Sequence, residues 1–178
     1  MQQEPDLTLV ERACDGDANS FTELCRRYYP AMAAIAHSVI GDRHLAEDAA
    51  QQAFAKAVRQ MPQLKNKGKF AAWLAVICRN VALDLAQRAE RLQTADDLSM
   101  IAAKSHENDV AEAVKEALNK LSASAKEVIF LRYYDGMTYE QISAVLGISE
   151  QAINGRLRRA KKKMANYLRR NGFGKVLL

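Results

Sequence analysis

Glycine and proline, the residues that punctuate folds built from short strands, number eight and three in this 178-residue chain. A β-sandwich or barrel needs a turn signal about every ten residues, and this chain cannot supply them. What it offers instead is apolar residues at helical spacing. Leu7, Leu9, Val10 and Ala13 form a short stripe that stops at Asp15-Gly16-Asp17. Phe21, Leu24, Cys25 and Tyr28 begin a second stripe, continued by Ile35, Val39 and Ile40, with Pro30 either kinking it or starting a new helix. Gly41 marks a helix end and Asp42 the next N-cap. Leu45, Ala49, Ala53, Val58 and Met61 carry the following helix to Pro62. Residues 62–69 are a lysine-rich loop, and Phe70, Trp73, Leu74, Ile77, Val81 and Leu85 mark a helix running to about Gln87.

The pattern lapses over residues 91–110, which are polar and acidic, and then returns. The expected fold class is therefore all-α. It has two helical domains, residues 1–90 and 114–178, joined by a flexible acidic linker over 91–113. Such a tether would let the two domains bind a long target at separated points. No apolar run approaches the roughly 20 residues that cross a bilayer, and the polar N-terminus lacks the order of a secretory signal. A cytoplasmic protein without membrane insertion is the expectation. Cys14, Cys25 and Cys78 share no metal-ligand spacing with one another or with the three histidines, and each reads as a small core residue. No metal or cofactor is expected.

Charge separates along the chain. Residues 1–90 hold 11 basic and 11 acidic side chains, residues 91–113 hold 2 and 5, and residues 114–178 hold 13 and 5. A polyanion is the natural partner of the last third. Within it, Val114, Leu118 and Leu121 close one helix and Ser122 is placed to cap the next. Thr138-Tyr139-Glu140-Gln141 reads as a capping box opening a short helix. Gly147-Ile148-Ser149 is a tight turn, and a longer basic helix follows. A short capped helix, a Gly turn and an amphipathic basic helix make a helix-turn-helix. Ile153, Leu157, Ala160 and Met164 form its inner face. Gln151, Asn154, Gly155, Arg158 and Arg159, with Arg156 alongside, form the outer face that would meet base edges in a major groove. Lysines further along would neutralise phosphates.

The stretch from Leu121 to Met164 resembles region 4, the minus-35-binding domain, of bacterial sigma factors. Upstream, Phe21–Leu24 with Tyr28-Tyr29-Pro30, then Ala46–Phe54, then Phe70–Leu74 with Arg79–Asp84, resemble successive parts of region 2. Only regions 2 and 4 are present, the layout of the extracytoplasmic-function (ECF, group IV) sigma factors. The resemblance implies a non-catalytic subunit that directs core RNA polymerase to promoters, binds the minus-35 element and opens the minus-10 element. It implies that Glu47, Asp48, Gln51, Gln52 and Phe54 meet the polymerase β′ clamp helices, while region 4 meets the β flap. Gln60, Leu64, Lys65, Asn66, Lys67, Lys69 and Asn80 would take the single-stranded nontemplate minus-10 DNA, one base flipped into a pocket. Ser149, Gln151, Ala152, Asn154, Gly155, Arg156, Arg158, Arg159, Lys162 and Lys163 would contact duplex minus-35 DNA. An anti-sigma factor is a further implied partner. The chain departs from the family pattern at Gln52, Leu64, Ala152, Asn154 and Gly155. Trp73 lies on the apolar stripe and is expected in the core rather than on DNA. No GxxxxGK[ST] phosphate loop is present, so opening would draw on binding energy. A stand-alone helix-turn-helix regulator and a sigma-like adaptor that no longer opens promoters remain as alternatives.

Overall fold

The computed structural model describes residues 4–95 and 106–173, with side chains described over 4–91 and 109–173. Among these residues there are eight α-helices and no strand. The first unit comprises α1 (Asp6–Cys14), α2 (Ala18–Ile40), α3 (Arg43–Gln60) and α4 (Phe70–Ala95). The second comprises α5 (His106–Asn119), α6 (Ala123–Ile129), α7 (Tyr139–Leu146) and α8 (Glu150–Arg170). A π-turn over Phe130–Tyr134 prolongs α6.

Local chemistry accounts for most boundaries. The Asp17 carboxylate accepts from the Asn19 amide at 3.0 Å and so caps α2; Asp42 caps α3 by accepting from the Leu45 amide at 2.9 Å. Between them Gly41 takes φ 78°, the left-handed conformation that ends a helix with little strain in a residue without Cβ. Pro30 neither breaks nor restarts α2, which is one helix of 23 residues; its ring is exposed on the outer face. Ser122 stands at the N-cap of α6, but its side chain makes no capping bond and meets the Ser124 hydroxyl at 3.4 Å instead. Helix α4 runs past Gln87 to Ala95, and α5 begins at His106, so the expected linker is helical at both ends. Its centre, 96–105, lies outside the described residues, as does the tail from 174.

α2, α3 and α4 pack mutually, and α1 lies across α2. The facing surfaces are lined by small residues. Ala31, Ala34, Ala46, Ala49, Ala50, Ala53, Ala57, Ala75 and Ala82 are all buried, with Leu24, Met32, Ile35 and Leu74 filling the space between. The segment Lys67–Arg91 is long and apolar enough, by composition, to cross a membrane, contrary to the reading from sequence. Within this fold Leu74, Ala75, Cys78, Val81 and Ala82 carry its apolar surface into the bundle core. Trp73 is half-buried against that core, 5.9 Å from the Phe70 ring. The Cys78 thiol donates to the Met32 carbonyl at 3.2 Å, and burial pushes its pKa up to about 12; burial likewise raises Cys25 to about 11. These thiols are held protonated and act as packing groups.

Arg27 ties α1 to α2. Its guanidinium donates to Glu23 at 2.7 Å, to Asp6 at 2.5 Å and to the Glu4 carbonyl at 2.7 Å, while the Tyr28 hydroxyl donates to the other Asp6 oxygen. The two units also touch: α2 packs on α6 and the π-turn, and α4 packs on α7. The tethered arrangement expected from sequence is here a closed one.

Two measurements test this packing. Ala53→Leu should cost about 1–3 kcal/mol in denaturant unfolding, because Ala53 is fully buried on α3, which packs on α2 and α4. The Glu23 carboxylate is held down to about 2 by hydrogen bonds from Arg26 and then Arg27. A lowered folded pKa contributes stability above the unfolded value and loses it as pH falls. The melting temperature of the native chain should therefore drop between pH 4.5 and about 2 more than that of Glu23→Gln.

Candidate nucleic-acid interface

The second unit presents a helix-turn-helix. The Thr138 hydroxyl accepts from the Gln141 amide at 3.2 Å while the Gln141 side chain accepts from the Thr138 amide at 2.8 Å, a closed capping box. Gly147 takes φ 66° and ends α7; the Ser143 hydroxyl donates to the Ile148 carbonyl at 2.7 Å across the turn. The Ser149 hydroxyl then accepts from the Ala152 amide at 3.3 Å and starts α8. Ile153, Leu157 and Ala160 are buried toward α6 and α7. This anchoring leaves Gln151, Asn154, Arg158, Arg159 and Lys162 exposed on the outer face, with Ala152, Gly155 and Arg156 half-buried at its margin. Leu168, rather than Met164, is the fully buried residue at the far end of α8, where it packs with Ala113 and Ala117 of α5. Lys163 turns away from the reading face and donates to the Lys120 carbonyl, joining α8 to the end of α5.

Gly155 makes room for Arg159. A methyl group at position 155 would lie 3.3 Å from the Arg159 Nη1, so the guanidinium folds back over the glycine by one helical turn. Arg156, Arg159 and Lys163 also border a cavity of about 230 Å³ shared with Ser122 and Ser124 at the start of α6.

In the first unit, Asp48, Gln51 and Gln52 form an exposed face on α3, and Glu47 is half-exposed and bridged to Arg43 at 3.0 Å. Phe54 is placed differently from the sequence expectation. It is 7% exposed, edge-on to Phe21 at 6.5 Å and stacked on Tyr29 at 6.4 Å, so it supports the α3 face from beneath. Burial of a large apolar ring outweighs its place one residue from the polar face. Between α3 and α4, two 3-10 turns (Met61–Gln63 and Lys67–Lys69) shape the lysine loop. Met61 is buried, its carbonyl accepting from the Cys14 thiol at 3.4 Å, and Leu64 packs on the core as an anchor. Gln60, Lys65, Asn66 and Lys69 are exposed and Lys67 is half-buried. Asn80 is exposed on α4, about 15 Å along the helix axis from its first residue. Among the described residues no group of three or more His, Cys, Asp or Glu is placed to hold a metal ion.

Some contacts have no local sequence signal. Arg79 pairs with Glu127 at 2.6 Å, 48 positions away, and His37 sits against Phe130 and Tyr134. Arg132 lies 5.4 Å over the Tyr139 ring and donates to the Met137 carbonyl at 2.7 Å, bracing the π-turn against α7.

A helical bundle bearing a polar α3 face and a lysine loop, followed by a basic helix-turn-helix, defines a two-domain DNA-binding transcription factor. Comparison with known proteins specifies it. The family model for sigma-70 region 2 matches residues 24–92, and that for sigma-70 region 4 matches residues 111–164. The chain is 28% identical to the ECF RNA polymerase sigma-E factor of Escherichia coli over 93% of its own length and 95% of that protein. It is 27% identical to the ECF sigma factor SigE of Mycolicibacterium smegmatis, over 93% of this chain and 68% of that one. Among solved structures it resembles CnrH bound to the cytosolic domain of CnrY. The TM-score is 0.61 at 30% identity, covering 92% of this chain and 96% of that one. It also resembles RpoE bound to the anti-sigma factor NepR from Bartonella quintana, with TM-score 0.55 at 26% identity, covering 85% and 98%. The chain belongs to the ECF family of RNA polymerase sigma factors, and it is a non-enzymatic factor of transcription initiation.

Gly155→Ala should raise the thermal stability of the free chain by about 0.5–1 kcal/mol. The three nearest atoms outside the helix backbone that a new methyl meets belong to the flexible end of Arg159, which can move aside. Circular-dichroism melting checks this, and a lower melting temperature would show that the Arg159 position is fixed.

Proposed function

We propose that this sigma factor docks on core RNA polymerase through Glu47, Asp48, Gln51 and Gln52 of α3, facing the β′ clamp helices. It reads the minus-35 duplex with α8 and captures the opened minus-10 strand with the loop 62–69 and Asn80. The observation that carries this reading is the division of α8. Ile153, Leu157 and Ala160 are buried, while Gln151, Asn154, Arg158 and Arg159 are exposed at its N-terminal half. Asn and Gln pair bidentately with adenine and Arg with guanine, and the major groove accepts a helix in this orientation. Lys162 supplies a phosphate contact and with it salt-dependent affinity. In the first unit, the exposed lysines of the loop hold phosphates, and the Asn80 amide offers a donor and an acceptor to a flipped base.

No side chain in this scheme breaks or makes a covalent bond. Strand opening is a matter of which state is bound more tightly, the open DNA gaining contacts that the duplex lacks. The β flap of polymerase would take the second unit. Because the relatives CnrH and RpoE were solved with the cytosolic domain of CnrY and with the anti-sigma factor NepR, an anti-sigma protein is the regulator we propose here as well. Its place of action is the cell interior, with polymerase.

Run-off transcription with purified core polymerase and a promoter library tests this function. We expect discrete transcripts from a subset of templates. Core binding without any transcript would replace this reading with that of an adaptor. On an active promoter, Arg159→Ala should weaken duplex binding by about 1–3 kcal/mol. Asn80→Ala should leave duplex binding intact and lower open-complex yield. Lys162→Ala should reduce the slope of log affinity against log salt by about 1, uniformly across sequences.

A further inference from the structure

We propose that Arg79 is a phosphate contact of the strand-capturing helix α4 and that Glu127 of the second unit occupies it in the free chain, latching the two units shut. The phosphate half of this proposal rests on the strand-capture reading above; the latch does not.

Glu127 is the one charged side chain in the buried set of the described residues, 8% exposed, and its carboxylate is held by the Arg79 guanidinium at 2.6 Å. A buried carboxylate is tolerated only when paired, and its partner comes from the other unit. Neither residue therefore has its present environment unless the units are together. Arg79 is one position before Asn80, so a backbone phosphate next to a base held by Asn80 falls within reach of the same guanidinium. A carboxylate and a phosphate oxygen offer Arg the same bidentate chemistry and compete for it.

Two further contacts hold the same closed arrangement. The His37 ring, from α2, meets the rings of Phe130 and Tyr134 from the π-turn at centroid distances of 4.9 and 5.2 Å. Its Nδ1 is buried without a hydrogen-bond partner, so the imidazole serves as packing surface. At the other edge, a methyl group placed on Gly147 would lie 3.6 Å from the Ala72 Cβ. The turn of the helix-turn-helix thus lies against the start of α4, beside the end of the lysine loop. Duplex DNA rises about 3.4 Å per base pair, so two promoter elements even ten base pairs apart need readers about 34 Å apart. Separating the units to that span removes Glu127 from Arg79 at the same moment that it frees the second unit.

Small-angle scattering on the free, full-length chain tests the latch without DNA or polymerase. A compact chain of this length has a radius of gyration of about 16 Å. We expect the native protein near this value, with Arg79→Glu and Glu127→Arg each larger by several ångströms and the double swap R79E/E127R restored. Since Glu127 is buried and its variant could fail to fold, Arg79→Glu, on the more exposed partner, decides the matter alone. A native chain already as expanded as Arg79→Glu overturns the latch. The phosphate role is read by fluorescence anisotropy with a labelled oligo-dT strand. Glu127→Gln should bind it about threefold more tightly or better, and R79Q/E127Q should lose that gain. Equal binding by all forms overturns Arg79 as a phosphate contact. If run-off transcription succeeds while these tests fail, the sigma function stands and this inference does not.

Discussion

Close contact between alanine-lined faces of α2, α3 and α4 is the constraint on which the rest of the molecule depends. Helix axes approach to the lower end of the usual 8–10 Å only when the residues between them are small. Here Ala34, Ala49, Ala50, Ala53 and Ala75 are fully buried, or nearly so, at those contacts. This packing of α3 against α2 and α4 sets where the polar face of α3 points and where α4 leaves the lysine loop. It also makes α2 a broad platform: α1, α3 and α4 pack on it from one unit, and α6 with the π-turn from the other.

Charge is arranged around this scaffold in two ways. Within the first unit it is neutralised locally, Arg27 being shared among Glu23, Asp6 and the Glu4 carbonyl. In the second unit it accumulates along α8, where Arg158, Arg159, Lys161 and Lys162 stand exposed with no ion pair among the described residues. The first pattern contributes to folding and is short-ranged; the second costs self-repulsion and is relieved by a polyanion. Arg79 belongs to both, since it is neutralised inside the closed chain by a carboxylate that DNA can replace.

Features set by a few consecutive residues were readable before any coordinates. The Asp15-Gly16-Asp17 break, Gly41-Asp42, the Thr138–Gln141 capping box and the Gly147–Ser149 turn all lie where their short-range chemistry puts them, because each hydrogen bond closes within a few positions. The face of α8 was readable for the same reason: burial of Ile153, Leu157 and Ala160 follows from helical period alone. Phe54 was set on the polymerase-facing surface by resemblance, and its burial depends on Phe21 and Tyr29 from another helix, which no local motif specifies. Pro30 starts no new helix because the bundle around α2 outweighs the one backbone donor it removes. The Arg79–Glu127 pair and the His37 contacts join residues from separate units, and no spacing rule reaches that far.

The central claim is that this chain opens promoter DNA by holding one strand against its first unit while the second reads the duplex. Permanganate footprinting of a promoter active in run-off transcription tests it most directly. We expect thymines of the minus-10 nontemplate strand to become reactive only when chain and core polymerase are both present, and to lose that reactivity with Asn80→Ala while the minus-35 footprint persists. Reactive thymines that are unchanged in Asn80→Ala, or opening by core polymerase without the chain, would contradict it.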